Sequence, residues 1–291
     1  MGEVRVLHLG GPAIDGSVVS TLPAPSANGH AAPERLAAPL EVTHLCVEYG
    51  HLRAVDDVEF SCEASTVTAI IGPNGSGKTS TLNAITGIVG CTGSIKLAGR
   101  QVQGCGPRQV FSFGLARTFQ NLDLIDDRSV LDNVSLAAKV SARATLIESL
   151  VSAPRSVRER KERREVAERA IGLLGLDEVS SRRTGELSYG LRRRVEVARA
   201  LASQPSVVML DEPTAGMGPA ESAEFGHLLL RVAKELEIAI LVIEHDMSVV
   251  RAAASRVCVL AGGQKIADGH PDSVLGSDSV RRVYLGDDGM F

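Results

Sequence analysis

The sequence predicts an α/β protein with a parallel sheet and crossover helices. Two observations predict it. β-Forming runs at Val67–Ile71, Val207–Leu210, Ile238–Ile243 and Arg256–Ala261 alternate with helical patterns at Thr79–Ile88, Ala220–Lys234 and Ser248–Ala254. A glycine-rich loop, GPNGSGKT, joins the first of these strands to the first helix.

That loop carries the chemistry. Gly72, Pro73, Asn74, Gly75, Ser76, Gly77, Lys78 and Thr79 fit G-x-x-x-x-G-K-[ST], with Ser80 following. Glycines let successive backbone N–H groups turn inward, and the helix N-terminus adds its positive end, so the loop is shaped for phosphate. Lys78 can reach the β- and γ-phosphates, and the Thr79 hydroxyl can ligate Mg²⁺.

Upstream, β-like segments are expected at Leu40–Tyr49 and Ala54–Phe60, and downstream at Gly93–Leu97 and near Val110. Residues 11–40, rich in Pro, Ala, Gly and Ser, predict a flexible leader over 1–39. Two stretches, Ser129–Val151 and Arg155–Leu176, have helical spacing and mixed charge, which predicts a helical insertion with solvated faces.

The composition sets further limits. The 291 residues carry a formal charge of −4, which argues against a dedicated nucleic-acid partner. No apolar run approaches the ~18 residues of a membrane span, so a membrane role is expected to run through a partner. The first residues lack a signal-peptide pattern, and five cysteines without C-x-x-C spacing predict buried thiols in a reducing cytoplasm.

Other residues are candidates for the same site. In SVVMLDEP a strand runs into Asp211 and Glu212; Asp211 can support a metal, and Glu212 can orient and polarise an attacking water. IAILVIEH delivers His245 in the same way, with an imidazole able to bond phosphate or water. LARTFQNL supplies Gln120, whose amide oxygen can accept from water or ligate Mg²⁺. In LSYGLRRRVEVARAL, Ser188 and Gly190 open a long amphipathic helix, a second anion-binding terminus.

Taken in order, Gly72–Thr79, Gln120, Leu187–Gly190, Asp211–Glu212 and His245 resemble the ATP-binding subunit of an ABC transporter. The wording LARTFQN, LSYG, DEPTAGM, VIEHDM and VYLGDD is similar to the subunits of branched-chain amino acid importers. The resemblance covers about Leu40 to the C-terminus. It implies a P-loop NTPase fold of ABC type, with an antiparallel β subdomain and a helical subdomain at about 120–205, inserted in a RecA-like core. It also implies ATP with Mg²⁺, adenine stacked on Tyr49, and a head-to-tail pair of ATP-binding subunits, the same chain or a paralogue. In that pair Ser188 and Gly190 act on the ATP held by the other subunit. The implied partners are a permease at the inner face of the cell membrane and, indirectly, a solute-binding protein. An envelope-lipid exporter and a soluble ABC ATPase uncoupled from transport are the alternatives. Two residues depart from the pattern: Leu191 replaces the usual glutamine, and Gly218 replaces a polar residue. Lost side-chain hydrogen bonds there are expected to weaken communication between the two ATP sites.

Overall fold

The computed structural model describes residues 38–119, 122–138 and 153–285. The expected leader, except for residues 38 and 39, and the middle of the insertion, 139–152, lie outside these residues. The first strands, β1 (Leu40–Tyr49) and β2 (Leu52–Cys62), form an antiparallel pair with Tyr49 opposite Leu52. β3 (Val67–Ile71) then feeds α1 (Lys78–Ile85). β4 (Thr92–Leu97) and β5 (Arg100–Gln101) complete a four-stranded antiparallel sheet in the order β2-β1-β4-β5.

The expectation of β structure near Val110 is corrected. Pro107–Ser112 is a helix, α2, with proline in its first turn and only Val110 buried; the strand follows at β6 (Leu115–Arg117). A short apolar run does not reveal its period. Proline is favoured in the first helical turn, where its missing N–H costs nothing, and β6 alone has a partner strand to pair with.

After β6 the chain runs through α3 (Val130–Ala137), α4 (Ala153–Leu173) and α5 (Tyr189–Ala202) before returning in β7 (Val207–Asp211). Next come α6 (Pro219–Leu236), β8 (Ala239–Ile243), α7 (Met247–Ala253), β9 (Arg256–Ala261) and β10 (Gln264–Gly269). Two short helices, α8 (Pro271–Leu275) and α9 (Asp278–Leu285), follow. The second sheet has the order β10-β9-β3-β8-β7-β6; β10 is antiparallel to β9 and the other pairs are parallel.

Burial explains why these strands read as continuous apolar runs. Every residue of β3 and β8 is buried, because both faces of the sheet are covered. The faces still alternate. Ile70, Met209, Leu241, Cys258 and Leu260 pack with the antiparallel sheet and with Leu82 and Ile85 of α1. Ala69, Ile71, Val208, Leu210, Val242 and Val257 pack on the other side with α5, α6 and α7. A one-residue slip would exchange the two sets, so register is strongly specified. The parallel strands β3, β7 and β8 all deliver their C-terminal ends to one edge of the sheet, where α/β folds bind ligands.

The cysteines agree only in part with the expectation of buried thiols. All five are free; Cys62 and Cys258 are buried, while Cys46, Cys91 and Cys105 are half-buried. Burial pushes both the Cys62 and Cys258 thiols up to about 12, which keeps them protonated.

Candidate functional site

The loop between β3 and α1 has the geometry of a phosphate cradle. Gly72 has φ 153°, and a Cβ there would lie 2.1 Å from the Leu260 carbonyl, so only glycine lets the strand leave the sheet at this point. At Gly75, φ is 77° and a Cβ would meet nothing within 4 Å, so the loop's apex faces open space. Ser76 is buried, and its Oγ has no hydrogen-bond partner among the described residues. Helix α1 begins at Lys78, and its first N–H groups have no acceptor within the helix. An orphaned hydroxyl, an open apex and a helix N-terminus fit a polyphosphate.

Lys78 spans this cradle. Its Nζ donates to the carbonyls of Gly72 at 2.7 Å and Pro73 at 2.9 Å. Burial lowers the ammonium's pKa, while the carboxylates of Glu212 and Asp211 oppose that shift. These two carboxylates stand at the end of β7 and so belong to the same electrostatic site as Lys78. Thr79 and Asp211 offer hard oxygen donors of the kind Mg²⁺ takes.

Glu212 occupies an uncommon backbone position. Its φ is 47°, in the left-handed region, and its N–H donates to the Ile243 carbonyl of β8 at 3.0 Å. Such conformations cost about 1–3 kcal/mol and persist where surrounding structure enforces them. Across from it, His245 Nδ1 lies 3.9 Å from Glu212 Oε1. The structure therefore brings Gly72–Thr79, Asp211, Glu212 and His245 together, with Ser80 in the first turn of α1. Gln120 lies outside the described residues.

Two candidates stand at other places. Tyr49 ends β1 with its side chain exposed, which leaves the ring free to stack and excludes a core role. Ser188 caps α5, accepting from the Leu191 N–H at 3.5 Å, and Gly190 is buried in the first turn. Leu191 is partly buried against the core, an apolar environment that accounts for leucine at that position. Gly218 precedes α6 and supplies no side-chain cap.

Arg117, at the end of β6, was missed by sequence reasoning. Its buried guanidinium donates to Asp211 Oδ2 at 3.2 Å, Asn83 Oδ1 at 2.8 Å and Thr86 Oγ1 at 3.3 Å, and lies 5.0 Å from the Phe119 ring centroid. One side chain thus ties β6, β7 and α1 together. The signal was an arginine inside an apolar strand, LAR, where a charge needs partners. Arg117→Met should lower unfolding free energy by about 3–5 kcal/mol, because it strands a partly buried carboxylate. Urea denaturation checks this, and a loss below about 1 kcal/mol would show that the ion pair is dispensable.

The family pattern of ABC transporters matches residues 55–215, more than half of the 291-residue chain. The chain belongs to the ABC transporter family. Among curated relatives of this ABC cassette, the "High-affinity branched-chain amino acid transport ATP-binding protein BraF" of Pseudomonas aeruginosa is 34% identical over 249 residues. The "High-affinity branched-chain amino acid transport ATP-binding protein LivG" of Escherichia coli is also 34% identical over 249 residues. Each alignment covers 85% of this chain and 98% of the relative. Among solved structures, an ATP-binding cassette of an ABC transporter in its ADP conformation is 29% identical, with a TM-score of 0.73 over 85% of this chain and 98% of that one. A nucleotide-free cassette gives 29%, 0.72, 85% and 99% for the same quantities. The ABC cassette is therefore an ATP-binding, ATP-hydrolysing chain of P-loop NTPase fold.

Proposed function

We propose that this chain is the ATP-hydrolysing subunit of an importer for branched-chain amino acids or a related polar solute, working on a separate permease at the inner face of the cell membrane. The observation that carries this reading is the 34% identity running through 98% of the branched-chain amino acid transport subunits. Among the described residues no helix is long and apolar enough to cross a membrane, which fits a permease made of other chains.

In this reading Lys78 exchanges its bonds to the Gly72 and Pro73 carbonyls for bonds to the β- and γ-phosphate oxygens of ATP, and the Ser76 hydroxyl gains an acceptor. Thr79, Asp211 and Gln120 would hold Mg²⁺, with Arg117 keeping Asp211 oriented. Held there, Mg²⁺ would supply positive charge to offset the negative charge of the phosphate oxygens. Glu212 orients the attacking water and takes up its proton, while His245 bonds the γ-phosphate or that water. Tyr49 stacks on adenine. Ser188 and Gly190 present the N-terminus of α5 to ATP held by a second ATP-binding subunit, so that ATP closes the pair and hydrolysis releases it.

The test is co-purification with the membrane permease, followed by ATPase measurements with solute-loaded binding proteins in proteoliposomes. Stimulation by a protein loaded with a branched-chain amino acid or a related polar solute is expected. A complex that hydrolyses ATP but responds only to a lipid, or a chain that joins no permease, would overturn the proposal.

A further inference from the structure

The end of β8 carries a carboxyl group to which the roles above assign nothing. Glu244 is fully buried. Its Oε1 accepts from the Thr214 hydroxyl at 2.7 Å and from the Thr214 N–H at 3.3 Å. Its Oε2 is buried with no hydrogen-bond partner among the described residues. The Glu244 N–H donates to the Ile70 carbonyl at 3.3 Å, on the strand that leads into the phosphate loop. One residue further on is His245, and next comes Asp246, whose Oδ1 caps α7 by accepting from the Ser248 N–H at 2.8 Å and its hydroxyl at 2.6 Å.

This placement constrains the catalytic pair from both sides. Thr214 lies two residues beyond Glu212, whose left-handed backbone needs restraint from outside the loop. His245 is held between the buried Glu244 and the helix cap at Asp246. The 3.9 Å between His245 and Glu212 therefore depends on how firmly the loop after Glu212 is held against the end of β8.

From this geometry we propose that Glu244 is a positioning residue for hydrolysis: a buried carboxyl that accepts from Thr214 and so fastens the loop carrying Glu212 to the strand carrying His245. The inference rests on the reading in which Glu212 and His245 act on the attacking water. Burial raises the Glu244 pKa against the lowering by the Thr214 hydroxyl and amide, the Asp246 amide and His245.

The test compares Glu244→Gln, Glu244→Ala, Thr214→Val and Glu212→Gln in the full chain. It measures kcat and KM for ATP, affinity for a fluorescent ATP analogue, and thermal unfolding. Gln keeps the shape of the side chain and an oxygen able to accept from Thr214, so Glu244→Gln should retain kcat within about twofold, while Glu244→Ala should lose about tenfold or more in kcat with ATP affinity unchanged. Thr214→Val, which removes the hydroxyl donor without touching residue 244, should fall in the same direction and decides the matter if Glu244→Ala does not fold. The proposal is overturned by unchanged kcat in Glu244→Ala or Thr214→Val, by Glu244→Gln falling as far as Glu244→Ala, or by ATP affinity falling in step with turnover. Wild-type turnover in Glu212→Gln overturns the underlying reading instead, and does so without involving residue 244.

Discussion

Glu212→Gln should leave ATP bound and abolish most of its hydrolysis. Glutamine keeps the size of the side chain and can still bond water, but it cannot take the proton. General-base assistance contributes about 10²–10⁴-fold, and a fall of that order in kcat is expected. The groups that cradle phosphate, Lys78 and the loop from Gly72 to Thr79, are untouched, so affinity for ATP should hold. ATP that binds but is not consumed stabilises whichever assembly binds it, and in the proposed function that is the closed pair of subunits. Gel filtration with and without ATP should show the Glu212→Gln protein shifting to dimer size only with nucleotide. Hydrolysis at the wild-type rate would falsify the assignment of Glu212 as the base.

Lys78→Ala should have the complementary effect, a loss at the binding step. The ammonium reaches the Gly72 and Pro73 carbonyls at 2.7 and 2.9 Å, so it stands within the curve of the loop that would receive phosphate. Each charge-assisted hydrogen bond is worth about 1.5–3 kcal/mol. Losing two of them amounts to about 3 kcal/mol or more, which is about a 100-fold weaker Kd. Titration with a fluorescent ATP analogue measures this directly. Because the cation is buried and offset by Glu212 and Asp211, Lys78→Ala also removes part of the positive charge that compensates those two carboxylates. A nucleotide affinity within about twofold of wild type would show that backbone N–H groups alone hold the phosphates.

The fold was largely legible in the sequence where the signal was local or strongly periodic. Val67–Ile71 and Arg256–Ala261 are strands at the positions that apolar patterning assigns, and α6 and α7 differ from expectation by only one or two residues at each end. The strand ends were legible too, because Asp211 interrupts one apolar run and Glu244, just before His245, interrupts another. Less legible were elements whose identity depends on a neighbour. Pro107–Ser112 has too few residues for its period to show, and β10 has a half-exposed, mixed sequence that becomes a strand only by pairing with β9. The site shows the same division. Gly72–Thr79 announces itself by spacing, whereas Arg117 at the end of β6 and Glu244 just beyond β8 are single charged residues beside apolar runs, and nothing in the sequence says which groups receive them.

The sequence by itself determined the chemical inventory: a phosphate loop, an acidic strand end, a second helix N-terminus at Ser188, and enough apolar alternation to make a two-faced sheet. These are properties of short segments, where backbone conformation and periodicity follow from the residues present. Tertiary structure decided which of those segments meet. The parallel order β3-β8-β7 brings Lys78, Glu212 and His245 to one edge although 134 and 33 positions separate them in the chain (78 to 212, 212 to 245). It also decided that Arg117 pairs with Asp211 and Glu244 with Thr214. A buried charge or carboxyl must find its partner in space, and pairing across adjacent strands places that partner 94 residues away in one case and 30 in the other.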